Sequence, residues 1–522
     1  MGSHTEFPRH DTHPLSCYHS PSTYSEWNRT MADRNYLAFD LGAESGRAVL
    51  GKLSGKKLTL EEKHRFPNPN GRINGHLHWN LLGQWEELKT GLRKTVESGA
   101  GELHGLGVDT WGVDFGLIAH DGTVLGNPIH YRDRRTDGTL ERTFARMGKE
   151  EIFDATGVQF MELNTLYQLV AMREAKSPLF EAAKTLLFMP DLFHYLFTGI
   201  AKAEFSIAST SQLYDPRKKT WAVEMLDKLE IPSRLLPEIV PSGTILGPLR
   251  ADVAEECGAG KIPVITPASH DTASAVAAVP AEMPDGWCYI SSGTWSLMGV
   301  ELPEPLVNAK ALQYNYTNEG GVGGTIRFLK NIAGLWPVQE CRRHWVKEGH
   351  DHTYSELTQM AARAKPLASL LNLEHKPFML PGDMPPKIEQ YCQETRQSVP
   401  NSRGEYIRAC LDSLALTYRR TLEGLEDVLG RKITAIHLVG GGSQNELLNQ
   451  MTADACKRTV IAGPIEATAI GNILVQAMAT GDVKSLQDAR AIVRASFGVK
   501  RYEPTESKKW DEAYGRFQRL LR

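Results

Sequence analysis

The sequence predicts an α/β protein of two duplicated domains that face each other across a central cleft. Three observations predict it. At 522 residues the chain is too long for one hydrophobic core, so two substantial domains are the default. Two distant passages repeat one grammar: YLAFDLG, the polar turn AESG and RAVLGKL from Tyr36, and WCYISSGTWSLMGVEL from Trp287. Each is an apolar strand, a tight turn of small residues and a second apolar strand, and two halves that open this way point to duplication. Finally, strands alternate with amphipathic stretches, the arrangement that packs helices onto a sheet.

In chain order, the first hairpin is followed by WNLLGQWEELKTGLRKTVES, which has helical spacing, and then by a strand in GELHGLGVDTWGVDFGLIAHDG that ends at a DG turn. Strict alternation through DTWGVDF sends Asp109 and Trp111 to one face and Val108 and Gly112 to the other. Trp111 is expected in the core, with a ligand platform as the alternative, and Arg132 and Asp133 of YRDRR are expected to form an internal ion pair, with a ligand contact as the alternative. The turn formers of VPAEMPDG mark a boundary near 275–287. AIHLVGGGSQNELLNQMTADAC then reads strand, glycine turn, helix, with the apolar run ending at Val439 and the helix starting near Asn445. Trp510, Tyr514, Phe517 and Leu521 have the spacing of a terminal helix that docks on a domain. The expected units are 34–278, 279–483 and a helical segment 484–522, preceded by a disordered extension over 1–33.

That extension is rich in His, Ser, Thr and Pro, carries His4, His10, His13 and His19, and lacks the apolar core of a signal peptide. It reads as an upstream start or added segment ahead of Met31. The whole chain is 41% hydrophobic and 23% charged, with a formal net charge of -3. This balance leaves no basic footprint for nucleic acid or an acidic membrane. No apolar run reaches about 18 residues, so no membrane span is expected. Seven scattered cysteines without a CxxC pair argue for free thiols in a reducing cytoplasm and against a zinc site; Cys392 and Cys410 could meet if their helices are neighbours. The expected partners are small molecules, and the expected state is a monomer or small homo-oligomer.

Phosphate binding needs unshielded backbone N–H groups, which a turn of small residues supplies. Gly42, Ala43, Ser45 and Gly46 fit, whereas GxxxxGK[ST] and a strand-linked GxGxxG are both missing from the sequence. Asp40, at the strand end, could hold magnesium through water; Arg47 could meet a transferring phosphoryl group, and Thr294 could bond a nucleotide's phosphates. Each has an alternative in turn capping. In IPVITPASHDTASAVAAV, Asp271 falls at a strand-to-helix junction, where it reads as a cleft carboxylate or as a helix N-cap.

Together DLGAESGR, DTWGVDF, SHDTASA, SSGTWSLMG and VGGGSQN resemble the FGGY carbohydrate kinases over about residues 34–480. YRDRRTDG, NTLYQL, FLKNIAGLW, LLNQMTADAC and AGPIEATAIGNI resemble the branch of that family that acts on L-rhamnulose. The resemblance implies two actin/hexokinase-like (ribonuclease H-like) domains, sugar on the first and nucleotide on the second. It implies ATP and Mg2+, and transfer of the γ-phosphoryl group to the 1-hydroxyl of the ketose in L-rhamnose degradation. Asp271 would be the catalytic base, with Gly112, His270, Thr272 and Asn331 also on the sugar. The nucleotide positions would be Ala43, Glu44, Ser45, Gly46, Arg47, Thr294, Gln339 and Gly441. Glu44 departs from the family, which has a small hydroxyl residue there, and is expected to point outward. The alternatives are a kinase for fuculose, xylulose or glycerol, and a non-catalytic sugar- or ATP-sensing module.

Overall fold

The computed structural model describes residues 33–283 and 285–521; the histidine-rich extension and Cys17 lie outside them. The first sheet holds β1 (Arg34–Leu41), β2 (Ser45–Ser54), β3 (Lys57–Pro67), β4 (Leu103–Thr110), β5 (Thr244–Pro248) and β6 (Pro263–Thr266), in the order β5-β6-β4-β1-β2-β3. β1 is buried along nearly its whole length because it is central and covered on both faces, which is why its middle, Tyr36 to Phe39, is a continuous apolar run. β3, at the edge, alternates buried Leu58 and Phe66 with exposed Lys and Glu, and those charges discourage further pairing.

The second sheet holds β7 (Trp287–Ser292), β8 (Ser296–Leu302), β9 (Thr317–Gly320), β10 (Ile326–Ile332), β11 (Ala435–Val439), β12 (Thr459–Ala462) and β13 (Lys500–Tyr502), in the order β9-β10-β8-β7-β11-β12-β13. The duplication is visible in the ladders. β3-β2-β1 are antiparallel neighbours and β1-β4-β6 parallel ones. In the same way β10-β8-β7 are antiparallel and β7-β11-β12 parallel. This is the actin/hexokinase-like architecture. The C-terminal segment is not wholly helical, since β13 extends the second sheet before the last helix.

Seven helices matter here: α1 (Leu81–Glu97), α2 (Asp271–Ala277), α3 (Trp336–Lys347), α4 (Arg403–Leu429), α5 (Glu446–Cys456), α6 (Ala467–Ala479) and α7 (Ser507–Leu520). The Asn80 side chain caps α1 by accepting from Gly83 N–H, and α1 turns Leu81, Leu88 and Leu92 inward. α2 follows β6 as α6 follows β12, and these two equivalent helices cross at the junction of the domains. They cross so closely that a Cβ on Gly471 would stand 1.8 Å from the Ser274 carbonyl oxygen. No described helix is long and apolar enough to cross a membrane. The six described cysteines are free and buried.

Candidate active site

The two sheets aim their glycine turns into one cleft of about 510 Å³. On the first domain the β1–β2 turn is closed by Gly42 N–H donating to the Ser45 carbonyl at 2.9 Å. On the second, Gly293 N–H donates to the Trp295 carbonyl at 2.8 Å in the β7–β8 turn. The turn after β11 runs through Gly440, at φ 85°, where glycine is needed, to Asn445. The Asn445 side chain accepts from Leu448 N–H and starts α5.

Asp40, Ala43, Glu44, Ser45, Arg47, Gly112, His270, Asp271, Thr272, Thr294, Asn331, Gln339 and Gly441 all line this cleft. Gly46 does not: a Cβ there would stand 2.3 Å from the Phe66 ring, so its small size serves packing between β2 and β3. At Gly441 a Cβ would meet nothing within 4 Å, and Gln339 Oε1 is buried without a hydrogen-bond partner among the described residues. Open backbone beside an unsatisfied polar atom fits a nucleotide on that wall.

Asp271 is the first residue of α2, and His270 takes the N-cap position, so the N-cap alternative is displaced by one residue. The carboxylate accepts from Thr272 N–H and from Thr272 Oγ1 at 3.1 Å, and a third of the side chain is open to the cleft. Burial pushes its pKa up, His270 opposes that, and Asp40 reinforces it. His270 Nε2 lies 3.4 Å from Asp271 Oδ1. Its Nδ1 is 3.1 Å from Nη2 of fully buried Arg327 and 3.4 Å from Glu319 Oε2. Histidine and carboxylate come from the first domain, and arginine from the second.

Arg47 is held on both sides. Its Nη2 donates to Asp40 Oδ2 at 2.5 Å and its Nη1 to Glu466. Glu44 accepts from Arg343 Nη2 of α3 at 2.8 Å, across the cleft mouth and half exposed. The described residues contain no group of three or more His, Cys, Asp or Glu placed to hold a metal.

Three sequence expectations are corrected. DTWGVDF is not one strand: β4 ends at Thr110, and the chain kinks at Gly112 and at Val113, whose φ is 68°. A β-branched residue adopts that conformation only when its surroundings impose it. Here Val113 N–H donates to Thr210 Oγ1, while its carbonyl accepts from Thr165 Oγ1 at 2.6 Å and from Gln168. Face alternation therefore fails beyond Thr110. Asp109 instead accepts from Asn472 of α6 at 2.6 Å. Asp114, buried and pushed up to about 6 by that burial, accepts from Trp79, Trp111, Gln168 and Tyr131 N–H. Trp111 packs its ring 4.0 Å from that of Trp79, as a core residue does. Arg132 and Asp133 do not pair. Arg132 lies 3.8 Å over the Trp336 ring and donates to the Met379 carbonyl, whereas Asp133 holds His76 and Leu77 N–H. Adjacent side chains diverged and each found a nearer partner.

The sequence reading missed Gln159, Thr210, Thr317, Glu319 and Glu466, which also line the cleft. The signal for two of them was polar Thr and Glu alternating within a strand whose four residues are all buried. Gln159 reaches across the domains: its Oε1 accepts from the backbone and side-chain nitrogens of Asn331 at 2.8 and 3.1 Å.

Two duplicated domains that converge phosphate-type turns on a cleft carboxylate at a strand-to-helix junction define a sugar kinase, a phosphotransferase with ATP as co-substrate. Residues 35–278 match the N-terminal domain and residues 288–480 the C-terminal domain of the FGGY family of carbohydrate kinases, and the chain belongs to that family. It is 42% identical to a rhamnulokinase of Bacteroides thetaiotaomicron over 94% of this chain and 100% of that one. It is also 43% identical to a rhamnulokinase of Enterococcus faecalis over 90% of this chain and 94% of that one. Among solved structures it shares its fold with a xylulose kinase from Lactobacillus acidophilus (TM-score 0.75, 15% identity, 94% and 96% covered). It also shares it with the glycerol kinase of Plasmodium falciparum with ADP (TM-score 0.73, 14% identity, 94% and 98% covered).

Proposed function

We propose that this chain transfers the γ-phosphoryl group of ATP to the 1-hydroxyl of L-rhamnulose, with Asp271 as the base. The observation that carries the reading is the Asp271 carboxylate, open to the cleft at the junction of the two domains and flanked by glycine turns from both. The sugar identity is supported by the rhamnulokinases that match it over nearly the whole chain.

Phosphoryl transfer leaves little covalent work for the protein, so holding donor and acceptor in line supplies most of the effect. Ala43, Glu44, Ser45, Gly46 and Arg47, with Thr294, Gln339 and Gly441, form the nucleotide side, where Gly46 acts through the packing of its turn. Gly112, His270, Thr272 and Asn331 hold the ketose. His270, whose Nε2 lies 3.4 Å from Asp271 Oδ1, orients Asp271 and the attacking hydroxyl. Asp271 accepts the hydroxyl proton late, as the oxygen becomes acidic on bonding to phosphorus, so a weak base suffices. The domains exclude water and thereby protect ATP from hydrolysis.

The donor set fits magnesium held through waters rather than directly, since Asp40 is the cleft carboxylate beside the phosphate turn and already carries Arg47. When bound, the ion would neutralise charge on the phosphate oxygens. The six buried free thiols suit a cytoplasmic enzyme.

Asp271→Asn tests the assignment: kcat is expected to fall about 10³-fold or more, with ATP affinity measured by calorimetry unchanged. Retention of turnover would refute the role of Asp271.

A further inference from the structure

We propose that Thr317 and Glu319, on one face of β9, are the second domain's reader of sugar hydroxyls and determine which ketose the cleft accepts. This rests on the ketose-kinase reading above. Both residues line the cleft, both are at least nine-tenths buried, and each has a buried oxygen, Thr317 Oγ1 and Glu319 Oε2, with no hydrogen-bond partner among the described residues. Thr317 Oγ1 is unsatisfied and Glu319 Oε2 has only an off-axis ion pair with Arg327, so ligand hydroxyls on this wall of the cleft would complete both.

The chemistry names the ligand group. Glu319 Oε2 sits 3.1 Å from Arg327 Nη2 and 3.4 Å from His270 Nδ1, yet the Arg327 nitrogen is aligned on His270 instead. Burial pushes the Glu319 pKa up, but His270 and Arg327 outweigh it and hold it below the usual carboxylate range. An ionised carboxylate only accepts, so its partner must be a donor, and a sugar hydroxyl is one. Thr317 can donate or accept. Two residues apart on a strand, the pair spans about 7 Å, enough to grip hydroxyls on different carbons of one ketose. Asn331, on neighbouring β10, is held by Gln159 beside them. A sugar without the matching hydroxyl would leave Thr317 Oγ1 unsatisfied and Glu319 Oε2 with only its off-axis contact to Arg327, the situation in which polar sites discriminate strongly.

The test is calorimetric titration of L-rhamnulose, and of analogues lacking the 3-, 4- or 5-hydroxyl, into the ADP-bound full chain. Wild type, Thr317→Val and Glu319→Gln are compared, with ADP affinity and thermal midpoint recorded alongside. The ketose is expected to weaken about 10-fold in Thr317→Val and about 10²-fold in Glu319→Gln, with ADP affinity unchanged. Each loss should vanish for the analogue lacking the hydroxyl that residue reads, as a double-mutant cycle requires. Unchanged ketose affinity, or an equal loss for every analogue, would overturn the proposal. If Glu319→Gln fails to fold because Arg327 loses its counter-charge, Thr317→Val alone decides. Ketose binding without turnover would sink the activity reading and leave this one standing, whereas no ketose binding by wild type would sink both.

Discussion

Burial and two charged neighbours set the ionisation of Asp271. Burial pushes it up, His270 pulls it down and Asp40 pushes it up again. A base must be ionised to accept a proton, so kcat/KM falls as pH drops through that raised pKa. His270→Gln removes the lowering influence and should move the acid limb to higher pH. Asp40→Asn removes a raising one and should move it lower. Shifts of roughly half a unit to one unit are expected, and pH–rate profiles of the two variants moving in the same direction would contradict the assignment. At Glu44, the Arg343 partner is half exposed, and such pairs contribute about 1 kcal/mol or less. Glu44→Ser should therefore leave the thermal midpoint within a few degrees of wild type, by calorimetry. Glu44 was recognisable in the sequence as a departure, and so was the carboxylate at the β6–α2 junction. Arg343, 299 residues away, was not, because no local pattern encodes a contact made across a cleft.

The helix crossing of α2 on α6 is where the duplicated elements meet. Gly471 permits it, and a Cβ would collide with backbone rather than with a side chain that could move. Gly471→Ala should cost about 1–3 kcal/mol, visible in denaturant unfolding, and should lower turnover by disturbing Asp271 three residues before Ser274. An unchanged midpoint would mean that the helices can part without cost. Hairpins and helices were legible because their periods differ. The break in DTWGVDF was not, because its polar and apolar residues go on alternating while Val113 turns left-handed. Arg132 was misassigned for a related reason: an aromatic partner at Trp336 is invisible at a separation of 204 positions, whereas an adjacent acid is obvious.

At the scale of the molecule, the repeated strand–turn–strand grammar was enough to expect two domains and a cleft between them. The added strand β13 was not foreseen, since three residues, Lys500–Tyr502, carry too little pattern to separate a strand from a linker. Beyond it, α7 buries Trp510, Tyr514 and Phe517 against the second domain. Each contributes about 1.5–3 kcal/mol by burial, so ending the chain at 503 should lower the thermal midpoint by about 5 °C or more. The central claim is that the cleft couples ATP to one ketose through Asp271. The most direct measurement is ADP release by the wild-type chain with Mg2+ and a panel of L-rhamnulose, L-fuculose, xylulose and glycerol, with the sugar phosphate quantified alongside. The account predicts ADP release only with a sugar present, fastest with L-rhamnulose and stoichiometric with its 1-phosphate. ADP release without sugar, or turnover of xylulose or glycerol with none of L-rhamnulose, would contradict it.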